Sequence, residues 1–218
     1  MKRIIKLPGA APVLFPAQDL SKFLQYVRDV WDELKLEAPA WWNMRKETDL
    51  VAGFFEALDN DERRMKAGVG FGHLFLEAVS IVLDANGLPK QSGRTDIRFA
   101  YSGPSFAPVL VLEFKRLDNK GRLRTHYVTN GVIRFITGQY APTEDFGVMV
   151  GLVSGSVTIE KVALLKYLRR NDVRISTSST GDLEPSHMVA LDFDTGHSRS
   201  ATTCEATEFS LGHLLLER

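Results

Sequence analysis

Two short runs with opposing demands constrain this chain most. TDIRFAY (Thr95 to Tyr101) and PVLVLEFK (Pro108 to Lys115) are patterned as strands, and the SGPSFA between them carries Gly103 and Pro104, residues suited to a hairpin connection. Folding the hairpin about the Pro104/Ser105 bond sets Asp96 opposite Glu113. On that register Asp96, Glu113 and Lys115 share one face, while Ile97, Phe99, Leu110, Leu112 and Phe114 line the other. Val109 and Val111 make the charged face apolar as well, so the second strand is expected in the interior of a sheet. Unpaired charge is costly there, and two adjacent carboxylates repel unless a cation lies between them. A metal ion is therefore expected.

The ligand types suggest which metal. Carboxylate oxygens without a nearby His or Cys suit Mg2+ or Mn2+ rather than zinc, and oxygen-bound hard cations commonly handle phosphates. A phosphodiester is the natural substrate. The metal would polarise a phosphoryl oxygen and lower the pKa of a bound water, with Lys115 orienting that water or offsetting charge in the transition state. The blander alternative is a Glu113/Lys115 ion pair on an exposed strand, with Asp96 merely ending a turn.

GRTDIRF from Gly93, LEFKRL from Leu112, YVTNGVIRFITGQYA from Tyr127 and FGVMVGLV from Phe146 resemble a bacterial branch of the PD-(D/E)XK phosphodiesterases, the restriction-endonuclease-like superfamily. The likeness covers about the middle third of the chain. It implies an α/β fold with a mixed central sheet flanked by helices, a catalytic core over about residues 45–153, metal ligation by Asp96 and Glu113, and Lys115 as the catalytic lysine. It also implies a further acid from an upstream helix. Glu47, in the first turn of a well-patterned helix, is expected to fill that place as a third metal ligand, ahead of Glu77 in a mostly apolar run. Thr95 stands where the family name has proline, and Gln139 and Tyr140 are adjacent rather than spaced as in the Gln-x-x-x-Tyr motif of some nuclease branches.

Composition agrees with one ordinary enzyme-sized domain over residues 1–218, 44% hydrophobic and 25% charged. A single cysteine, Cys204, excludes an intrachain disulfide and fits a reducing cytoplasm. No apolar stretch is long enough to span a bilayer, and the start, MKRIIKLPGAAPVLFPA, interrupted by Pro8, Pro12 and Pro16, reads as a strand or arm of the fold. Formal net charge is zero, which argues against a strong nonspecific nucleic-acid binder. Distribution matters more than the sum. Arg116, Lys120, Arg122 and Arg124 follow the charged strand and, with Arg134 further on, are candidates to track phosphates. Lys161, Lys166, Arg169, Arg170 and Arg174 form a second basic group that is equally well explained as a solvated helix face.

Leu20, Phe23, Leu24, Val27, Val30, Trp31 and Leu34 recur at helical spacing from about Asp19 to Lys35, and Leu50, Val51, Phe54 and Leu58 do so from near Glu47 to Leu58. Trp41 and Trp42 in the intervening turn are expected to pack in the core rather than stack on bases. HLFLEAVSIVLDANG fits helix or strand, and the GVGFGH before it a loop. Val128, Val132, Phe135 and Ile136 form one helical face, and FGVMVGLV a buried strand, so strand, helix and strand predict a crossover beside the charged hairpin. A helix is expected over about 158–171, a loop at STSSTGD, and strands at MVALDFD and EFSLGHLLLE. His187 and His197 fall in polar connections, the loop with His197 and Arg199 is a minor candidate for nucleic-acid contact, and His213 reads as a satisfied core residue.

Three functions of different class follow. The foremost is a metal-dependent nuclease, for which the resemblance favours DNA over RNA, in restriction, repair or phage defence, as a homodimer or with a targeting partner protein. The next is a nucleic-acid-binding or scaffolding subunit that keeps the fold without turnover, although Asp96, Glu113 and Lys115 are all present. A Ser or Cys hydrolase has no Gly-x-Ser-x-Gly elbow or Cys/His signature behind it.

Overall fold

Glu113 and Lys115 lie on the third strand of a six-stranded mixed sheet. The computed structural model describes residues 17–83, 89–102, 108–177 and 190–218. In chain order the elements are α1 (Ala17–Glu37), α2 (Glu47–Leu58), α3 (Asp61–Lys66), β1 (Gly72–Leu83), β2 (Pro89–Tyr101), β3 (Val109–Leu117) and α4 (Arg122–Tyr127). A π-helical turn (Val128–Val132), α5 (Ile133–Ile136), β4 (Phe146–Val153), α6 (Val157–Arg169), β5 (Phe193–Ser198) and β6 (Glu208–Glu217) complete them. The strand order is β1-β2-β3-β4-β6-β5, with β3, β4 and β6 mutually parallel and the remaining pairs antiparallel. This is an α/β architecture, as expected. The N-terminal arm, the Gly103–Pro104 connection, His187 and most of STSSTGD lie outside the described residues.

The alternation on β3 divides the core. Leu110, Leu112 and Phe114 point to one face, where they join Ile97 and Phe99 of β2 and the apolar stripes of α1 and α2. Phe23 stacks on Phe99 with ring centroids 4.0 Å apart, and Phe54 meets Phe114 edge-on at 5.9 Å. Each such side chain, fully buried, contributes roughly 1.5–3 kcal/mol. Val111 and Leu117 point the other way, onto the helix that runs from Arg122 through the π turn to Ile136 and onto α6. That helix is the expected crossover between parallel strands. Among the described residues no helix is long and apolar enough to cross a membrane.

HLFLEAVSIVL, open between helix and strand, is β1, paired along its length with β2, because its β-branched residues fit a pleated surface better than a helix. Two expectations need correction. His197 is not in a polar connection but on β5 and fully buried. Its Nδ1 meets the Ile175 carbonyl at 2.7 Å, an acceptor only, so Nδ1 carries the proton and Nε2 must accept from Thr195 Oγ1, also 2.7 Å away. Thr195 Oγ1 then accepts from His213 Nε2 at 3.0 Å, which leaves His213 Nδ1 to accept from the Tyr127 hydroxyl at 2.8 Å. Every polar atom is matched with both imidazoles neutral, and burial pushes the His197 pKa down to about 4. Arg199 is buried too, so neither residue forms an exposed nucleic-acid contact.

Trp31 and Trp42 pack in the core 4.6 Å apart, and Trp41 lies flat over α2 at Gly53. A Cβ at Gly53 would overlap the Trp41 indole. Gly53→Ala is therefore expected to destabilise the protein by about 1–3 kcal/mol in urea unfolding, through displacement of the indole. An unchanged midpoint would show that the turn before Glu47 yields freely.

Candidate active site

The site is built where β3 leaves β2. Their ladder runs from Ala100–Val109 to Ile97–Leu112, the register expected from the hairpin, and then stops, while β3 continues in parallel with β4 through Leu117. The freed edge of β3 exposes backbone N–H groups that a third strand would normally satisfy. Here two carboxylates do so. Asp96 Oδ2 accepts from the Phe114 N–H at 2.8 Å, and Glu47 Oε2 accepts from the Arg116 N–H at 2.9 Å. Asp96 comes from β2 itself, and Glu47 from the first residue of α2, whose Phe54 and Leu58 are anchored in the core.

Between these acids stands Lys115. Its Nζ donates to Glu113 Oε1 at 2.8 Å, to Glu47 Oε1 at 2.9 Å and to the Phe114 carbonyl at 2.5 Å, and lies 3.9 Å from Asp96 Oδ2. The Glu113 side chain is 3% exposed, whereas Asp96 and Glu47 are 25% and 30% exposed. The cluster thus opens to solvent on the side of Asp96 and Glu47. Glu113 Oε1 also accepts from the Tyr140 hydroxyl at 3.1 Å, and Arg134 Nη1 donates to that hydroxyl at 2.6 Å. Glu113 Oε2 is buried and has no hydrogen-bond partner.

Three acids meet one lysine here, and that imbalance sets the electrostatics. Burial, then the charge of Asp96, pushes the Glu113 pKa up to about 7, against the opposing pull of Lys115 and the Tyr140 hydrogen bond. Burial likewise raises Asp96, partly offset by Lys115 and the Phe114 N–H. Burial by itself would lower Lys115, but Glu113, Asp96 and Glu47 overcome it and hold the ammonium above its ordinary range. Tyr140 is pushed up to about 12 by burial and by Glu113, so its hydroxyl stays protonated.

As cation ligands, Asp96 and Glu113 supply hard oxygen donors, one of them a buried oxygen in need of a partner, which fits Mg2+ or Mn2+. Glu47, the third expected ligand, has both oxygens accepting from protein donors, Lys115 Nζ and the Arg116 N–H. Among the described residues no group of three or more His, Cys, Asp or Glu side chains is gathered as a metal cage. Glu77, the other candidate acid, is on β1 between the partners of Ile97 and Thr95, across from Asp96, and reaches Arg94 at 3.4 Å.

The basic candidates separate. Lys120 and Arg122 are exposed beyond β3, and Arg116 is partly buried with its guanidinium on the Arg45 carbonyl. Arg134 adjoins the site through Tyr140. Arg124 is instead committed inward, in a two-point contact of 2.6 and 2.8 Å with the fully buried Glu160, because that carboxylate needs a cation. In the second group Lys161 caps the Asp192 carbonyl, while Lys166, Arg169 and Arg170 are exposed along α6. Tyr140 is the site residue that sequence reasoning missed: next to Gln139 it departs from the spacing of the Gln-x-x-x-Tyr motif, and only the fold brings it to Glu113.

Glu113 has a testable signature. Its folded value, about 7 against an ordinary 4.5, means that the folded protein holds this proton more tightly than the unfolded chain, so its contribution to stability is lost as pH rises between those values. In chelator, the unfolding free energy of Glu113→Gln minus that of wild type should grow from about pH 4.5 to about pH 7, by up to about 3 kcal/mol at roughly 1.4 kcal/mol per unit. A pH-independent difference in denaturant melts would contradict the shift.

Compared with known proteins, the chain matches no family model, no curated protein and no solved structure.

Proposed function

We propose that this protein is a metal-dependent phosphodiesterase of the restriction-endonuclease-like kind, cleaving nucleic acid, with DNA favoured over RNA by the sequence resemblance alone. One observation carries the reading: Asp96, Glu113 and Lys115 converge at the fork of a mixed sheet, with Glu113 Oε2 buried and unpartnered. Asp96 and Glu47 each satisfy a β3 N–H group, but a purely structural role leaves the buried, unpartnered Glu113 Oε2 without a purpose.

Asp96 and Glu113 are assigned to hold Mg2+ or Mn2+, and Glu47 to position Lys115 and the β3 edge. When bound, such a cation supplies polarisation of a phosphoryl oxygen and a more acidic water. Lys115, kept charged by its carboxylates, is assigned to offset negative charge growing on the phosphate, or to orient a nucleophilic water by exchanging one of its three protein acceptors. Arg134 offers a planar cation for a phosphate beside the site, and Lys120 and Arg122 offer exposed charge along the nucleic-acid backbone.

With labelled DNA and RNA panels, cleavage is expected to need Mg2+ or Mn2+, to stop with chelator, and to fall by about 100- to 1000-fold in Asp96→Asn, Glu113→Gln or Lys115→Ala while each variant stays folded. Cleavage by the wild type that survives all three substitutions would remove these residues from the chemistry. Metal-independent binding without cleavage would favour the scaffolding alternative.

A further inference from the structure

The loop between α5 and β4 is held in a manner that its connecting role does not require. It leaves the helix at Gly138 with φ 74°, and Ala141 is also left-handed at φ 47°, a conformation that non-glycine residues rarely adopt. Arg199, buried on the far side, spends its guanidinium on the loop: Nη1 donates to the Ala141 carbonyl at 2.8 Å and Nη2 to the Glu144 carbonyl at 2.6 Å, with the group 4.2 Å above the Phe209 ring. The Tyr140 N–H returns to the Arg134 carbonyl at 3.0 Å, and its ring packs edge-on against Phe135. Tyr140 thus sits in a loop whose backbone is held on the Ala141 and Glu144 side by Arg199 and on the helix side by the Arg134 carbonyl.

We propose that Tyr140 is a positioning residue of the carboxylate site, whose hydroxyl, itself held by Arg134, fixes Glu113 so that Oε2 is the oxygen presented to a cation. The geometry is specific. Tyr140 and Lys115 both donate to Oε1, at 3.1 and 2.8 Å, so that oxygen is saturated by protein donors while Oε2 has none. Without the hydroxyl, Oε1 keeps one donor and the carboxylate is free to turn. Loss of a group that orients a metal ligand from behind in this way typically costs about 10- to 100-fold in metal affinity. Tyr140 can do this although it touches neither substrate nor metal. The inference rests on the metal-site reading above.

The test is Mn2+ titration of the purified protein by calorimetry, for wild type, Asp96→Asn and Tyr140→Phe, with melting measured in chelator. Tyr140→Phe removes only the hydroxyl. The expected result is Mn2+ binding by the wild type, none in Asp96→Asn, and affinity about 10- to 100-fold weaker in Tyr140→Phe, which still melts cooperatively in chelator. A merely structural tyrosine would lower the melting point and leave the affinity of the folded protein unchanged. Affinity in Tyr140→Phe within about twofold of wild type, with Asp96→Asn inactive in binding, would overturn the positioning role and leave the metal site standing. Failure of the wild type to bind Mn2+ would overturn both. Should Tyr140→Phe not fold, Arg134→Met carries the test: it frees the hydroxyl from its anchor, and an Mn2+ affinity reduced about threefold or more is expected, whereas an unchanged one overturns the inference.

Discussion

The structure depends on how the edge of β3 is satisfied after β2 leaves it. A strand buried on both faces cannot leave its N–H groups bare, and no third strand follows β2 past Ile97. Carboxylates from β2 and α2 take the Phe114 and Arg116 N–H groups instead. Solving a backbone problem with acids brings negative charge into the sheet, and Lys115 only partly answers it. The site is thus a consequence of the fork: the same divergence that opens the sheet requires the acids and gives them a route to solvent.

The surrounding fold keeps this charged fork from collapsing. One layer, α1 and α2, seats Glu47 by burying Phe54 and Leu58 behind it. The other is fastened by buried polar groups, Arg124 on Glu160, Arg199 on the carbonyls of the Tyr140 loop, and the chain from Tyr127 through His213 and Thr195 to His197. Such groups are costly unless fully matched, and these are matched. Gly131 lets the π turn approach β4 and β3 closely, since a Cβ there would overlap Met149 and lie 3.7 Å from Lys115 Cγ. Helices with a π turn often do this near functional groups.

Much of the site was legible because it is local. The hairpin register follows from the period of two and a short connection, and α2 begins at Glu47 as its apolar stripe predicts. What the sequence left hidden is non-local. β1 carries a residue mix that suits a helix or a strand, and only its pairing with β2 decides. Arg124 looked like a surface cation because Glu160, its partner, is 36 residues away. His197 has the polar or small neighbours of a connection, Asp194, Thr195 and Gly196, yet β5 pairs with β6 and buries alternate residues. Tyr140 reaches Glu113 across 27 residues, and Glu47 finds Lys115 across 68.

Diffraction from a crystal soaked in Mn2+, with anomalous scattering locating the ion, tests most directly the claim that Asp96 and Glu113 form a cation site. The account predicts one strong peak bonded to Glu113 Oε2 and to the Asp96 carboxylate, with Lys115 retained by Glu47. An Mn2+-saturated crystal in which Lys115 remains the sole cation among the three acids would contradict it.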